Sequence, residues 1–389
     1  MRLLHTGDWH LGRLFHGVHL TDDQAHVLTQ VVDIAREERV DVVIIAGDVF
    51  DRAVPPVEAV SLLDEVLSRL AADLAIPVII IAGNHDSARR LAFGSTLLSA
   101  HGLHVAGAVS DAVLPVTLDF GGRGGPVHFY CLPYAEPAEV RQAFDDEEIS
   151  SHDSAMMARV TPIRAARSQK RYKERTVLVA HAFVERCEQS ESERPLTVGG
   201  AGSVKNGRFD GFSYVALGHL HRPQRAGKDS IQYAGSLLKY SFTEAEHKKS
   251  VTIVDIDEDD KLTFERIPLK ARRDVRIIEG SFQELLAGTP SDDFVLAKIL
   301  GREAILDALG KLREIYPNVL HIERPDFVSQ LSTLIGGVRD VRRLDYGALF
   351  KAFYKEVTGL EVSEKERDLF SKVVDEVQNQ EREGGALEK

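Results

Sequence analysis

Seven side chains able to bind metal or move protons stand just past short apolar runs. Asp8 and His10 follow Arg2 to Leu4, within Thr6-Gly7-Asp8-Trp9-His10. Asp48 follows Val42 to Ala46, within Gly47-Asp48-Val49-Phe50-Asp51. Asn84 follows Val78 to Ala82, within Gly83-Asn84-His85-Asp86. His181 follows Val177 to Ala180, and the His219 and His221 of Gly218-His219-Leu220-His221 follow Tyr214 to Leu217. Strands that stop abruptly in such clusters aim carboxylate, imidazole and amide oxygen at one sheet edge, and open α/β sheets bind ligands at the carboxyl ends of their strands. This donor mixture suits a divalent ion such as Mn, Fe or Zn. Seven ligands are too many for one tetrahedral ion and suit two ions that share a bridging carboxylate. Two ions roughly 3.5–4 Å apart grip the attacking and leaving oxygens of a displacement at phosphorus and bring the pKa of a water toward about 7. Their charge outweighs that of Asp8 and Asp48, so such a centre draws phosphate even in an acidic chain.

The chain is acidic: its 389 residues carry a net charge of -12, with a sequence pI near 5.7. A broad basic surface for nucleic acid is therefore absent from the overall balance, although a local field can oppose the global one. Hydrophobic content of 43% and charged content of 28% are those of a globular protein. The length predicts two or three domains. Cys131 and Cys187 form no disulfide framework, which favours a reducing compartment and disfavours thiolate-bound zinc. Met1 leads straight into a strand without a signal-peptide pattern, and no apolar run approaches a membrane span. The expectation is a cytoplasmic protein with no membrane contact.

The elements that must position the clusters alternate. Residues 2–6, 41–46 and 77–82 read as strands. Between them, Val27, Leu28, Val31, Val32, Ile34 and Ala35 form a helical stripe entered at Thr21, read as the N-cap with Gln24 three residues on. Pro55 and Pro56 precede a second helix through Leu62, Leu63, Val66, Leu67 and Leu70. Such alternation implies βαβ units and a parallel sheet. After about residue 103, strands are expected at 113–120, 127–132, 176–180, 231–234, 251–257 and 262–267, assigned to a second sheet packed on the first. A helix over roughly 154–173 interrupts them and carries Arg164, Arg167, Lys170, Arg171 and Lys173, with Arg175 just beyond, read as a solvated face. Residues 271–335 read as a small α+β module, with helices at Ser281 to Leu286 and Arg302 to Ile315 between its strands. From about 338, Leu349, Phe350, Phe353, Tyr354 and Val357, then Leu369, Phe370, Val373, Val374 and Val377, give two amphipathic helices. Two projecting helices cannot bury both stripes against each other, which leaves apolar surface for a partner. Residues 381–389 are expected to be a disordered tail.

Taken together, Asp8-x-His10, Gly47-Asp48, Gly83-Asn84-His85-Asp86, a lone His181 and Gly218-His219-x-His221 resemble the calcineurin-like metallophosphoesterase superfamily over about residues 1–270. Asp8-Trp9-His10-Leu11-Gly12, Ser192-Glu193-Arg194-Pro195-Leu196 with Val198-Gly199-Gly200, and Gly235-Ser236 ahead of Lys248-Lys249-Ser250-Val251 are further similar to the SbcD family of nuclease subunits in bacterial SbcCD complexes. The resemblance implies an αββα two-sheet sandwich, a capping domain at 271–335, and a helix–loop–helix at 338–380 that binds an SbcC-type coiled-coil ATPase. It implies two metal ions, with Mn favoured. Asp8, His10, Asp48 and His221 would hold one ion, and Asp48, Asn84, His181 and His219 the other. His85 would be the proton donor or phosphate stabiliser, oriented by Asp86. The implied activity is Mn-dependent cleavage of DNA, by exonuclease action on duplex ends and endonuclease action on single strands and hairpins, within a DNA repair complex. A homodimer inside a heterotetramer is implied too, and the helix read from Ser87 to Ala100, with the loops near it, is its candidate surface.

Alternatives are a phosphodiesterase or phosphatase for small substrates or phosphoproteins, and a non-catalytic tether for an ATPase. Asp51-Arg52 resembles the phosphate-contacting arginine of protein phosphatases, but Ala53 and Leu11 stand where that pattern has glycine. Trp9 is expected to pack beneath the site. Arg339, Arg342 and Arg343 are expected to be solvated.

Overall fold

The computed structural model describes all residues except 122–124, 170–174, 195–201, 304, 327–345 and 385–389. Lys170, Arg171, Lys173, the stretch from Pro195 to Gly200, and Arg339, Arg342 and Arg343 lie outside the described residues, as do the side chains of Leu349, Val357 and Val377. The chain divides after Val275 into two compact units.

In chain order the first unit contains β1 (Arg2–Thr6), β2 (Val42–Ile45), β3 (Val78–Ile81), β4 (Leu103–Ala106), β5 (Val116–Asp119), β6 (Pro126–Leu132), β7 (Arg175–His181), β8 (Tyr214–Gly218), β9 (Gln224–Arg225), β10 (Ile231–Tyr233), β11 (Ser250–Ile256) and β12 (Leu262–Pro268). Six strands make one sheet in the order β12-β11-β1-β2-β3-β4, and six make another in the order β9-β10-β8-β7-β6-β5. Strands β1 to β4 run parallel, and so do β6, β7, β8 and β10. Both faces of a parallel sheet are covered, so β2 and β3 read as unbroken Val/Ile runs, buried at every residue.

The two sheets share one core, in which Leu3, Ile44 and Ile79 of the first meet Phe129, Val177 and Ala216 of the second. The outer face of the second sheet is covered by α6 (His152–Gln169), whose Met156, Val160 and Ile163 pack with Leu178 and Val215. The first sheet is flanked by α1 (Thr21–Glu37) and α2 (Val57–Leu67), whose buried stripes include Val27, Leu28, Val31, Leu62 and Leu63. This is the α/β two-sheet sandwich with outer helices that the motif pattern implied.

Three expectations change. Strands β11 and β12 close the first sheet rather than extend the second: β11 runs antiparallel to β1, pairing Leu4 with Ile253. An apolar run reveals a strand but not the sheet it joins. Thr21 is the first helical residue and caps nothing; Leu20 is at the cap position, and Gln24 turns inward. The segment from Ser87 to Ala100 is not one helix but two short ones, α3 (Ala88–Leu91) and α4 (Ser95–Ser99), split at Gly94, whose φ of 72° is left-handed.

The second unit begins with a sheet of β13 (Val275–Ser281), β14 (Phe294–Leu300) and β15 (Val319–Glu323), in that order. Helices α7 (Phe282–Leu286) and α8 (Ala308–Arg313) supply Leu285 and Leu312 to its core. Helix α8 is shorter than the run from Arg302 to Ile315 suggests, because it starts only after Asp307, a left-handed residue whose carboxylate caps Gly310. Two further helices, α9 (Tyr346–Thr358) and α10 (Glu364–Gly384), follow. They meet through Phe350 and Phe370, stacked 4.2 Å apart, while Phe353, Leu369 and Val373 remain exposed. Helix α10 continues to Gly384, past the point where a tail was expected to begin.

Candidate metal centre

The centre lies at the carboxyl ends of five parallel strands. Asp8 and His10 follow β1, Asp48 follows β2, Asn84 follows β3, His181 ends β7, and His219 and His221 follow β8. Turning the chain this sharply forces unusual backbone: Asp8, His10, Asp48 and His219 have φ of 52°, 46°, 47° and 108°. Non-glycine residues in this region cost energy and persist where the surroundings hold them, often at functional sites.

The two sheets touch directly behind the ligands. His181 Nδ1 donates to the Ala46 carbonyl at 2.9 Å, which turns Nε2 toward Asn84 and Asp48. Gly218 sits against the same carbonyl, and a Cβ there would fall 1.8 Å from the Ala46 oxygen. At Gly83 a Cβ would fall 2.1 Å from Asp48 Oδ1, so glycine is needed to let the Asn84 turn approach Asp48.

All seven predicted side chains converge. His10 Nε2 lies 3.0 Å from His221 Nε2. Asp48 Oδ2 lies 3.6 Å from His10 Nε2 and 3.5 Å from His181 Nε2, between the two imidazoles. Asn84 Oδ1 lies 3.0 Å from His181 Nε2 and 3.2 Å from His219 Nδ1. Asp8 Oδ1 accepts the His219 amide at 2.8 Å. Ligand atoms of Asp8, His10 and His221 fall within 4.8 Å of one another, as do those of Asp8, Asp48 and His181. Asp8 thus belongs to both groups, a sharing that the motif order did not suggest. A third such group joins His10, Asp51 and His85.

The donor set fits two divalent cations. Asp8 Oδ2 is buried without a hydrogen-bond partner among the described residues, and buried polar atoms are otherwise paired. Burial opposes charge on His181, but Asp48 and Asp8 hold its pKa up at about 9. Burial pushes Asp8 well above the carboxylate range, with Asp48 adding to the rise against the pull of His181.

His85 approaches from the side, its ring edge-on to His10 with centroids 4.7 Å apart. Its Nδ1 donates to the Asp51 carbonyl at 2.8 Å, so Nε2 is the atom left for substrate. The expectation that Asp86 orients this ring is not met. The Asp86 carboxylate instead accepts the amides of Val49, Phe50 and Gly83 at 3.1, 2.9 and 2.9 Å. It ties the β2 and β3 loops together, a backbone role that a His-Asp dipeptide does not reveal.

Several supporting residues escaped the motifs. Gln24 donates to the carbonyls of Trp9 and His10 at 3.1 and 2.7 Å and accepts the Gly12 amide at 3.2 Å, fixing the first loop. The Asp51 carboxylate faces His10 Nδ1 at 3.4 Å and takes Arg13 Nη1 at 2.9 Å. Behind His221, Ser192 Oγ lies 2.6 Å and Glu244 Oε1 3.3 Å from Nδ1. Lys249 donates to Glu244 at 2.5 Å and to the His221 carbonyl at 2.8 Å. Ser192 and Lys249 lie in motifs that resembled a family, whereas Glu244 carries no spacing signal. Trp9 is fully buried and donates to Thr6 Oγ1 at 3.0 Å, beneath the site as expected. Arg164 and Arg167 are half-buried and bind the carbonyls of the 207–211 loop rather than standing wholly in solvent.

Residues 1–223 match the family described as calcineurin-like phosphoesterase. Residues 271–358 match SbcD_C, described as type 5 capsule protein repressor C-terminal domain. The chain is 33% identical over 378 residues to the SbcD subunit of the SbcCD nuclease of Staphylococcus saprophyticus, covering 96% of this chain and 98% of the relative. It is 32% identical over 372 residues to that of Staphylococcus epidermidis, covering 95% and 96%. Among solved structures, a dimetal phosphatase from Danio rerio aligns with 70% of this chain and 99% of its own, at 15% identity and a TM-score of 0.43. TT1561 of Thermus thermophilus aligns with 68% and 98%, at 13% identity and a TM-score of 0.37.

Proposed function

Since the chain belongs to the calcineurin-like phosphoesterases, and within them to the SbcD subunits of SbcCD nucleases, we propose that its centre uses two divalent ions, manganese by preference, to hydrolyse DNA phosphodiesters. It is a metal-dependent phosphoesterase and the nuclease subunit of an SbcCD-type complex. One observation carries the reading: His10 Nε2 and His221 Nε2 face each other at 3.0 Å, with Asp8 and Asp48 alongside.

Asp8, His10, Asp48 and His221 are assigned to one ion, and Asp48, Asn84, His181 and His219 to the other. Asp8 stands close enough to His181 to serve both. The ions supply a nucleophile at neutral pH and neutralise charge growing on the phosphoryl oxygens. The chain's own residues do the rest. Ala46 fixes which nitrogen His181 presents, and Ser192 with Glu244 fixes which nitrogen His221 presents. Protonated His85 gives its Nε2 proton to the departing sugar oxygen while the Asp51 carbonyl keeps the ring aimed. Asp86 assists indirectly, by holding the loop that carries His85.

The substrate reading is exonuclease action on duplex ends and endonuclease action on single strands and hairpins. An SbcC-type ATPase would present the DNA, which suits a catalytic chain with a net charge of -12. Exposed Phe353, Leu369 and Val373 on α9 and α10 supply the apolar face for that partner. Exposed Phe93 and Leu97, between and on the short helices α3 and α4, support a second copy docking there to form the homodimer of a heterotetramer. No helix among the described residues is long and apolar enough to cross a membrane; the reading places the complex in the cytoplasm.

The test is cleavage of end-labelled duplex and hairpin DNA in manganese by the purified chain, alone and with its ATPase partner and ATP. Chelator-treated protein and His85→Ala serve as controls. Cutting that disappears in both controls supports the reading. Two bound metals per chain with hydrolysis of small phosphoesters, and no DNA cutting even with partner, would overturn it.

A further inference from the structure

Away from the metal centre, between the edge strands β4 and β5, lies a cavity of about 380 Å³. Helix α4 borders it on one side and Arg159 of α6 on another. Its size is that of small-molecule pockets. None of its described lining residues is acidic, and its one permanently charged side chain is Arg159.

Arg159 is an anomaly. It is 4% exposed, and no hydrogen bond or ion pair holds it among the described residues. Its Nε is sealed without a partner. The Glu139 carboxylate, which accepts the Glu136 amide at 3.0 Å in the capping box of α5 (Pro137–Phe144), acts on it only through space and makes no ion pair with it. Burial pushes the guanidinium down only to about 10, so it stays charged at neutral pH. A buried charge that no counter-ion or hydrogen-bond acceptor contacts is unfavourable, and a guanidinium fork matches a carboxylate or phosphate in two parallel hydrogen bonds.

The rest of the lining fits such a ligand. Ser95 and Thr96 offer hydroxyls that no described residue uses, while Val113, Leu114 and Val116 provide an apolar wall. The Cys131 thiol is pushed up to about 12 by burial, so it brings no competing negative charge. We propose that this cavity binds a small organic anion, its carboxylate or phosphate seated on Arg159 and its apolar body along Val113, Leu114 and Val116. The site shares no residue with the metal centre and does not depend on the nuclease reading.

The test uses the full-length chain loaded with magnesium, with benzoate, phenyl phosphate and uncharged benzyl alcohol as probes. Two signals are followed: the melting temperature and the Arg159 side-chain Nε–Hε resonance. Expected is a saturable rise in Tm of about 2–4 °C with at least one anion, a shift of the Arg159 resonance, and no response to the alcohol. Which anion acts identifies the head group. Arg159→Leu should abolish the Tm response while melting no lower than the wild type without probe, since it removes a buried charge that no described residue contacts. If that variant does not fold, Ser95→Ala/Thr96→Val, altered only on α4, should weaken apparent affinity several-fold. The proposal is overturned if neither anion moves the Arg159 resonance, if Arg159→Leu keeps the Tm response, or if the α4 double variant binds as tightly as the wild type.

Discussion

The His85 imidazole donates to the main-chain carbonyl of Asp51 at 2.8 Å, and the carboxylate of that same residue faces His10 Nδ1 at 3.4 Å. One residue therefore aims both the group assigned to proton transfer and a group assigned to metal binding. Because His85 is held through the main chain, its orientation survives any side-chain change at 51. This separates the two roles experimentally.

His85→Asn should leave metal stoichiometry unchanged and reduce DNA turnover by about 10²–10⁴-fold, the usual contribution of a positioned acid or base. Metal counted by elemental analysis and cleavage measured with the partner present check both halves. Full turnover would remove His85 from the chemistry; lost metal would make it a ligand.

Asp51→Asn should do the reverse. The His85 contact is kept, while the negative charge facing His10 and Arg13 is lost. Metal affinity should fall by about 10–100-fold, as for other groups that orient a ligating histidine, and saturating manganese should recover most of the rate. A rate that stays low at every metal concentration would mean Asp51 acts on substrate instead.

The seven proposed ligands were legible because strand ends in a parallel sheet all point one way, so each cluster could be placed from local sequence alone. The apolar runs at 42–46 and 78–82 gave the first sheet for the same reason. What escaped reading depends on contacts made far along the chain. Gln24 looked like a capping residue, yet its amide is used by Trp9, His10 and Gly12. Glu244 meets His221 only because the segment before β11 folds back behind the site. The placement of β11 beside β1 joins residues about 250 positions apart, and no periodicity encodes that pairing.

Gly218→Ala should be among the most damaging single-methyl changes in the molecule. The added carbon would meet the Ala46 carbonyl oxygen at 1.8 Å and His181 Nδ1 at 2.9 Å. Both belong to the contact that joins the sheets and orients His181. Overpacking of this kind costs about 1–3 kcal/mol or more, and the displaced His181 should weaken metal binding as well. Urea midpoints and metal titration would show both effects; a variant unchanged in either would mean that the sheets separate there more freely than this geometry allows.

Lys249→Met should destabilise the fold by about 3–5 kcal/mol, because it strands the buried Glu244 carboxylate. Burial alone would raise that carboxyl, and Lys249 together with His221 holds it well below the usual range. The double change Glu244→Gln/Lys249→Met removes both charges and should recover most of the loss. Its chemical denaturation curve is the check: a double variant no more stable than Lys249→Met would show that the ion pair is not what matters there.

The fold's response to acid should carry the mark of His5. This residue is fully buried in β1, with Nδ1 2.9 Å from the Tyr214 hydroxyl of β8. Burial pushes its pKa from 6.5 down to about 3. Between those values the unfolded chain binds a proton that the folded chain refuses, so stability falls as pH falls. The full contribution is present above about pH 6.5 and declines through that value toward pH 3. At about pH 5 this one group should cost the fold about 2 kcal/mol relative to neutral pH. His5→Gln keeps a group that can bond Tyr214 but does not titrate, so its urea midpoint should fall less steeply than the wild type's from about pH 7.5 to about pH 5. Other buried histidines contribute their own slope to both proteins, and the difference between the two curves isolates His5. Parallel curves would mean that His5 stays neutral in the unfolded chain too or takes up its proton without leaving the fold.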